Sequence, residues 1–421
     1  MNIIDLMIHW IGMRVDVFIG LRSFENKLFI GLANLIVADL KGMARRAILQ
    51  TMDTRPYSTW LEVDLGAIKN NIKQIKAMTG TRLMAIIKAN GYGHGVLAVA
   101  KAAEQGGAEW LGVARMEEAL NLRAAGIKIE VMVLGYTAPV MIPEAIRNKI
   151  HVAIYDQDMT KAFEAYAKKA NGRLKVHLKI ETGMGRLGMA PELAPDFLST
   201  YRNHPKFDID GIFTHLARAD EPQFDSAERQ LTVFNKLLGK LRSEGLCPPM
   251  VHAANSAAVL NFPEAHYDMV RPGIVIFGLD PSPGSPVPET FRPALTWKAR
   301  LTSLRVLPPG HGVSYGSVYV TSDHERIGVI PVGYGDGYRR TPGQQVIVRG
   351  KLVDVVGRVC MDQCMLQLDA VPEAQAGDEV VLLGKQGDQE ISANDLAARW
   401  DTINYEVLCG LADRLPRLYY E

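Results

Sequence analysis

The most reactive feature of the sequence is a lysine that ends an apolar run directly before a glycine-rich turn. The run is Met84–Ile87, the lysine is Lys88, and alternating glycines follow at 91, 93 and 95. A lysine withdrawn from water loses its proton readily and attacks carbonyl groups, whereas a surface lysine does not. The pattern therefore indicates a Schiff-base lysine, and the alternative is an ordinary solvated lysine at a strand end.

Polar residues also follow the later apolar runs. They are Tyr92, Lys179, Arg186, His215, Asn255, Ser256 and Arg271, with Gly273 and Ile274 close behind. In a barrel of parallel strands the carboxyl ends of all strands meet at one face, so these groups are expected to converge there. Each of them alone also suits an ordinary structural role, and His215 could equally be a hydrogen-bonded histidine of the core.

Together these groups suit a cofactor that carries an aldehyde and a phosphate. The Ser256 and Tyr92 hydroxyls and the Gly273 and Ile274 amides are neutral donors for a phosphate, which barrels often hold after strands 7 and 8. Lys88 would bond the aldehyde.

Two arginines support the same interpretation, because each could contact a polar group of the cofactor or substrate. Arg186 could donate to a phenolate oxygen or to a substrate carboxylate, and Arg271 could face a pyridine nitrogen.

Alternating strands and helices account for the region that contains these residues. The expected strands are 83–88, 110–114, 131–134, 152–155, 174–180, 209–215, 251–254 and 270–277, and the helices include 65–75, 115–125, 160–169 and 227–243. Eight strands with intervening helices predict an α/β fold, a (β/α)8 barrel of the TIM type over residues 55–288. An open doubly wound sheet is the alternative.

The two ends of the chain follow different patterns. After a proline-rich linker at 281–288, short strands separated by turns predict a mainly β domain over residues 289–421. Its expected strands are 296–307, 325–332, 345–348, 352–356, 365–368 and 379–383. Residues 1–54 match the pattern of neither domain. One interpretation is an amphipathic extension that lies on a partner or membrane surface. The other is a start codon assigned too early, with Met43 or Met52 as the true first residue.

Composition indicates a small-molecule partner. The 47 basic and 46 acidic residues leave no excess charge that would favour nucleic acid. No uncharged run reaches the roughly 18 residues that a membrane span requires, and the few cysteines suit a reducing cytoplasm. Cys360 and Cys364 have no second ligand pair at a suitable spacing, so no metal site is expected.

The stretch 85–95 resembles the pyridoxal-phosphate attachment signature of alanine racemases, which are fold-type III enzymes. Further stretches look like motifs of that family and occur in the family's order: 181–188, 252–256, 271–273, 313–316, 331–338 and 357–362. The resemblance covers about residues 56–420. It implies a barrel followed by a β domain, pyridoxal 5′-phosphate as cofactor, and a head-to-tail homodimer whose active sites borrow residues from the partner's β domain.

The resemblance also implies individual roles. Lys88 would bind the cofactor and act as one base, and the partner's Tyr315 would be the other. Such a pair suits racemisation, which removes a proton from one face of the α-carbon and returns one to the other. Tyrosine, with an ordinary pKa of about 10, needs support as a base, and His215 with Arg271 behind it would provide it.

Other family positions concern the substrate. Arg186 matches the residue that contacts the phenolate oxygen and the substrate carboxylate, and the partner's Met361 and Asp362 match a substrate-side loop. Lys179 matches a lysine that is carbamylated in some members. Asp413 stands where some members have a tyrosine that reaches the phosphate, and because a carboxylate would repel the phosphate, it is expected to turn away.

The expected reaction is the interconversion of L-alanine and D-alanine, which would supply D-alanine for peptidoglycan. One alternative is a fold-type III amino-acid decarboxylase, which would lack Tyr315 in this context. Another is a non-catalytic barrel protein that binds pyridoxal phosphate, which would lack residues 291–421. Serine stays open as a further substrate, since small pockets reject an added hydroxyl weakly.

Overall fold

The computed structural model describes residues 56–221 and 225–421. Arg55–Glu421 cluster as one compact unit, which contains both the barrel and the β sheet described below. The extension predicted at residues 1–54 lies outside the described residues.

Parallel strands form a nearly closed barrel in the first part of this unit, which confirms the predicted (β/α)8 architecture. Strand β1 (Thr59–Asp64) precedes the barrel, whose strands in chain order are β2 (Arg82–Ile86), β3 (Trp110–Val113), β4 (Glu130–Val133), β5 (Ile150–Ile154), β6 (Leu174–Lys179), β7 (Phe207–Phe213), β8 (Met250–His252) and β9 (Met269–Val270). Within the described residues, the eight strands from β2 to β9 make one sheet in the order β8-β7-β6-β5-β4-β3-β2-β9. Backbone hydrogen bonds from Asp268 to Val251 (3.0 Å) and from Arg271 to Ala254 (2.9 Å) link its two ends.

Helices follow the strands as the periodicity predicted. They are α1 (Leu65–Thr79), α2 (Val96–Gly106), α3 (Met116–Ala124), α4 (Ile142–Arg147), α5 (Gln157–Ala167), α6 (Ala194–Tyr201), α7 (Asp225–Ser243) and α8 (Ser256–Asn261). Helix α1 begins as expected, with the Asp64 carboxylate accepting the Ala67 amide at 2.7 Å. Its isoleucines Ile68, Ile72 and Ile75 are fully buried on one face.

The eighth barrel strand differs from the prediction. A single strand was expected over 270–277, but β9 ends at Val270 and a short 3-10 helix occupies Ile274–Phe277. Pro272 has no amide hydrogen for a strand ladder, and Gly273 adopts a φ of −112° and a ψ of −91°, which is not extended. The chain therefore turns here, at the carboxyl end of the barrel.

The second part of the unit is a mainly β layer, as predicted. Its strands are β10 (Leu295–Arg300), β11 (Ser303–Leu307), β12 (Gly312–Val313), β13 (Tyr319–Val320), β14 (Glu325–Ile330), β15 (Gln345–Val348), β16 (Lys351–Val356), β17 (Cys364–Gln367), β18 (Glu379–Gln386), β19 (Gln389–Ile391) and β20 (Arg417–Tyr420), with helices α9 (Ala393–Arg399) and α10 (Asn404–Cys409). The expected strand 296–307 is two strands, because the chain passes from β10 to β11 at residues 301–302.

Strand β1 joins this second sheet and not the barrel. It pairs antiparallel with β10, with Trp60 opposite Lys298, and parallel with β20, with Val63 opposite Tyr419. The β sheet therefore contains a strand from the range predicted for the barrel, and β20 brings the end of the chain back to the same edge.

Within the ranges 56–221 and 225–421, no helix is both long and apolar enough to cross a membrane.

Candidate active site

Lys88 starts a left-handed turn immediately after the first barrel strand. Ala89, Asn90, Gly91 and Tyr92 have φ angles of 53°, 54°, 63° and 51°. A left-handed conformation costs roughly 1–2 kcal/mol for each residue that carries a Cβ, so it persists only where the surroundings hold it. The strand predicted to run to Lys88 ends at Ile86 because this turn begins there.

Hydrogen bonds and close packing hold this turn. The Gly93 amide donates to the Ala89 carbonyl at 3.0 Å, and the Gly95 amide donates to the Asn90 carbonyl at 2.8 Å. Arg417, on β20, donates to the Gly93 carbonyl at 2.8 Å. A methyl group at Gly93 would collide with the carbonyl of Leu408, so only glycine fits this approach of two backbones.

The electrostatics around Lys88 favour loss of its proton. Solvent reaches its side chain, yet desolvation by the surrounding protein is the largest influence and lowers its pKa. The Arg186 guanidinium lowers that pKa further, while Cys409 and Glu118 oppose the shift. A lysine with a lowered pKa has more of the neutral amine that attacks carbonyls.

Several cationic groups converge near Lys88. Lys179 is buried, and its ammonium donates to the Leu187 carbonyl at 2.6 Å. Burial, and then Arg186, lowers the pKa of Lys179 to about 8. The pKa of His215 is held well below its usual value by burial first and then by Arg271, Arg186, Lys179 and Lys88. These groups therefore share one electropositive site, as expected from their positions at strand ends.

Arg271 is buried in this site and donates to several acceptors. It contacts His252 Nδ1 at 3.0 Å, His215 Nδ1 at 3.3 Å and the carbonyls of Thr214 and Ala253 at 2.9 and 3.0 Å. Burial lowers its pKa to about 9, so it stays protonated at neutral pH. A guanidinium can only donate, so Nδ1 of His215 is an acceptor and the hydrogen of the neutral ring lies on Nε2.

The expected phosphate ligands lie together, but some of their polar atoms are already engaged. The Gly273 amide donates to the Ser256 hydroxyl at 2.8 Å. A methyl group at Gly273 would lie 2.5 Å from the Tyr92 hydroxyl oxygen, so the glycine leaves space beside that hydroxyl. The Asn255 side chain caps α8 by accepting the Ala258 amide at 3.0 Å and donates to the Leu216 carbonyl at 3.1 Å. Ile274 begins the short helix next to Gly273.

Tyr315, Met361 and Asp362 lie on the β layer. Tyr315 and Met361 are 69% and 54% exposed, large values for an aromatic and an apolar side chain. Asp362 forms an ion pair with Arg414 at 2.8 Å. Ser314, directly before Tyr315, has a φ of 65° and a ψ of −176°, a conformation that normally requires glycine, and its hydroxyl donates to the Arg358 carbonyl at 2.6 Å.

These residues fit pyridoxal phosphate. The space between Gly273 and the Tyr92 hydroxyl, here called the cradle, would be filled by a Cβ at residue 273. It lies at the strand ends where barrels bind phosphates. The converging cations suit a phosphate and a phenolate. In the part of the chain that the structure describes, no three His, Cys, Asp or Glu side chains are grouped to hold a metal ion.

Comparison with known proteins decides the family. Models of the N-terminal and C-terminal domains of alanine racemase match residues 63–281 and 294–419. The chain belongs to the alanine racemase family. It is therefore an isomerase, an amino-acid racemase.

Individual relatives agree with this family. An alanine racemase of Symbiobacterium thermophilum is 44% identical over 364 residues, which are 86% of this chain and 97% of that protein. One from Desulfovibrio desulfuricans is 42% identical over 366 residues, 86% and 98% of the two chains. The crystal structure of alanine racemase from Streptomyces lavendulae, a D-cycloserine producer, has a TM-score of 0.82 at 37% identity, covering 87% of this chain and 98% of that one. The alanine racemase of Bacillus anthracis with bound L-Ala-P has a TM-score of 0.81 at 36% identity, covering 86% and 95%.

Asp413 was expected to turn away from the phosphate. Its side chain is 91% exposed and accepts a hydrogen bond from Asn90 at 3.1 Å. Arg417 lies 3.9 Å from it. The carboxylate is therefore solvated and held by the left-handed turn.

Glu118 lies in this candidate site, although the sequence analysis did not single it out. One carboxylate oxygen accepts the Ala89 amide at 2.7 Å, and the other accepts the amides of Ala114 and Arg115 at 2.8 and 3.1 Å. A glutamate at the third position of a helix that follows a barrel strand was the available signal. That position also suits a helix cap, so its contact with the turn could not be read from the pattern.

Proposed function

We propose that the protein interconverts L-alanine and D-alanine with pyridoxal 5′-phosphate bound at Lys88, as a head-to-tail homodimer in the cytoplasm. The observation that carries the proposal is the convergence of Lys88, Lys179, Arg186 and Arg271 on His215, beside the cradle at Gly273. Such a site favours an anionic cofactor and an amino-acid carboxylate. The bound L-Ala-P of the Bacillus anthracis relative supports an alanine-sized substrate.

The residues around the cofactor have distinct tasks. Lys88 would hold the cofactor through its aldehyde, with loss of water, and the Tyr92 and Ser256 hydroxyls would hold the phosphate. When bound, pyridoxal phosphate withdraws electrons from an attached amino acid and so weakens the covalent bond between the α-carbon and its hydrogen. Arg271, protonated and only able to donate, would keep the pyridine nitrogen unprotonated and so limit that withdrawal. We therefore expect side reactions such as transamination to be rare.

Proton transfer would use one base on each face of the α-carbon. Desolvation lowers the pKa of Lys88, so more of its amine is neutral and able to accept a proton. The partner's Tyr315 would act on the other face. Since Arg271 leaves the hydrogen of His215 on Nε2, His215 can donate to the phenolate oxygen of that tyrosine and stabilise its deprotonated form.

The exposed residues of the β layer support the shared active site. Tyr315 and Met361 are large side chains that a monomer leaves in water, and exposed apolar groups of this kind often mark interfaces. A homodimer with two-fold symmetry would bring each β layer to the other subunit's barrel face. The partner's Met361 and Asp362 would then line the substrate side, opposite Arg186.

We also propose that Lys179 is carbamylated. Its lowered pKa supplies the neutral amine that reacts with carbon dioxide, releasing a proton and leaving an anionic carbamate. The carbamate would pair with Arg186, which already influences Lys179, and would fix it for the substrate carboxylate.

Loss of this carbamate should weaken substrate binding. In Lys179→Ala, we expect the KM for alanine to rise about tenfold or more, the usual cost of losing a charged hydrogen-bond partner. Native mass spectrometry should detect the added carbon dioxide on the wild type and not on the variant. A wild-type mass without this addition, in bicarbonate buffer, would contradict the carbamate.

The reaction itself is tested in D₂O. We expect the purified protein with pyridoxal phosphate to be yellow, to racemise L-alanine and to place deuterium on the α-carbon of the product, as measured by chiral chromatography and mass spectrometry. The same assay with L-serine measures substrate breadth. Release of carbon dioxide from alanine would favour the decarboxylase alternative, and cofactor binding without turnover would favour the non-catalytic one. An active racemase would be suited to supply D-alanine for peptidoglycan.

A further inference from the structure

The left-handed turn after Lys88 needs an external anchor. Ala89, Asn90 and Tyr92 carry side chains, yet all three have positive φ angles, which only their surroundings can maintain. The later part of the turn is held by the Arg417 bond to Gly93 and the Asp413 bond to Asn90. The Gly93 amide also binds the Ala89 carbonyl, but none of these three contacts engages the Ala89 amide, which is the group next to Lys88.

Glu118 supplies that anchor from the neighbouring strand and helix. One oxygen of its carboxylate accepts a hydrogen bond from the Ala89 amide at 2.7 Å. The other oxygen accepts hydrogen bonds from the amides of Ala114 and Arg115, directly after β3. The same side chain thus ties the ends of two adjacent barrel strands together. A carboxylate that accepts backbone amides forms charge-assisted bonds, which are shorter and stronger than neutral ones.

The charge of Glu118 also acts on Lys88. Arg186 disfavours the ammonium form of Lys88, whereas Cys409 and, after it, Glu118 favour that form. Glu118 therefore contributes to how readily Lys88 carries a proton, while desolvation remains the larger influence.

We infer that Glu118 is a positioning residue for Lys88, which holds the start of the left-handed turn and places a negative charge near the Lys88 amine. The inference rests on the proposed function, because the role of Lys88 toward pyridoxal phosphate defines what is positioned. Glu118 itself touches neither the cofactor nor the substrate in this role. It acts through the Ala89 amide and through its field at the Lys88 amine.

Replacing the charge should alter the cofactor site in a measurable way. In Glu118→Gln, we expect the dissociation constant for pyridoxal phosphate to rise about tenfold, since one charge-assisted contact is lost. The pH midpoint of the absorbance change of the bound cofactor should move to lower pH, because removing the negative charge of Glu118 disfavours the protonated form near Lys88. A merely structural role would leave that midpoint in place. Glu117→Gln, an exposed neighbour on the same helix, is the matched control and should change neither quantity.

Strain relief provides a second test. Ala89→Gly lowers the cost of the positive φ at this residue, so the double variant with Glu118→Gln should recover part of the lost cofactor affinity but not the displaced pH midpoint. If Glu118→Gln does not fold, hydrogen–deuterium exchange on the wild type replaces it. The Ala89 amide should then be protected, and exchange at the rate of an open loop would overturn the inference.

The outcomes separate this inference from the proposed function. Failure of the wild type to bond pyridoxal phosphate at Lys88, as shown by borohydride reduction and peptide mapping, would overturn the proposed function. If the wild type does bond pyridoxal phosphate at Lys88, but Glu118→Gln has the same cofactor affinity and pH midpoint as Glu117→Gln, only the role of Glu118 would be overturned.

Discussion

Lys88→Ala should abolish racemisation while leaving the protein folded. The side chain supplies both the attachment point and one base, and loss of a positioned base alone can cost up to about 10⁴-fold in rate. Because Lys88 is reachable by solvent and lies outside the core, we expect the free energy of unfolding to change by only about 0.5 kcal/mol or less. Borohydride should fix pyridoxal phosphate to the wild type at Lys88 and should fix none to the variant.

A matched control tests whether any lysine nearby would serve. Lys101→Ala alters an exposed lysine on α2, the helix that follows the same turn, and should retain full activity and labelling. A reduced cofactor adduct at another residue of Lys88→Ala, together with residual racemisation, would show that Lys88 is not the attachment site.

The strands of the barrel could be predicted from the sequence because parallel strands are buried on both faces, while their closure into a barrel was one of two alternatives. Such strands appear as continuous apolar runs, and β3 and β5, for example, lie where those runs predicted them. The same reasoning recognised β1 as a strand but not its sheet. Its partners, β10 and β20, lie far along the chain, and pairing over such separations leaves no local signal.

The eighth strand shows a different limit. Residues 270–277 are apolar enough for a strand, and the apolar content dominated the prediction. The Pro272–Gly273 pair ended β9 early, since proline lacks an amide hydrogen and the glycine turns the chain toward the site. The residues that interrupt the strand are thus the ones that form the cradle.

The candidate site was predictable where residue type alone indicates chemistry. Lys88, Arg186, His215 and Arg271 stood out as groups at strand ends, and the structure brings them into one electrostatic cluster. Glu118 was missed because its role depends on an amide in a left-handed turn, and a backbone conformation of that kind is not encoded by residue type except at glycine.

Tyr315→Phe should cripple racemisation in both directions, by about 10²- to 10⁴-fold, since it removes one of two bases and leaves the ring in place. Cofactor attachment at Lys88 should be retained. Exchange of the α-proton of one enantiomer should persist in part, because Lys88 can still remove and return the proton on its side of the α-carbon. Nuclear magnetic resonance of L- and D-alanine incubated separately in D₂O measures this asymmetry. Tyr166→Phe, on barrel helix α5, removes a hydroxyl elsewhere and should be fully active.

Mixing two inactive variants tests whether Tyr315 serves the partner subunit. In a heterodimer of Lys88→Ala and Tyr315→Phe, one site would carry both changes and the other would carry neither. Random assortment makes half of the dimers heterodimers, so co-expression should restore about a quarter of the wild-type activity. Two affinity tags purified in sequence isolate the heterodimers, in which activity should reach about half. Inactive heterodimers, verified by mass spectrometry, would show that Tyr315 either serves its own chain or is not a base, because only a site assembled from both subunits can escape both substitutions.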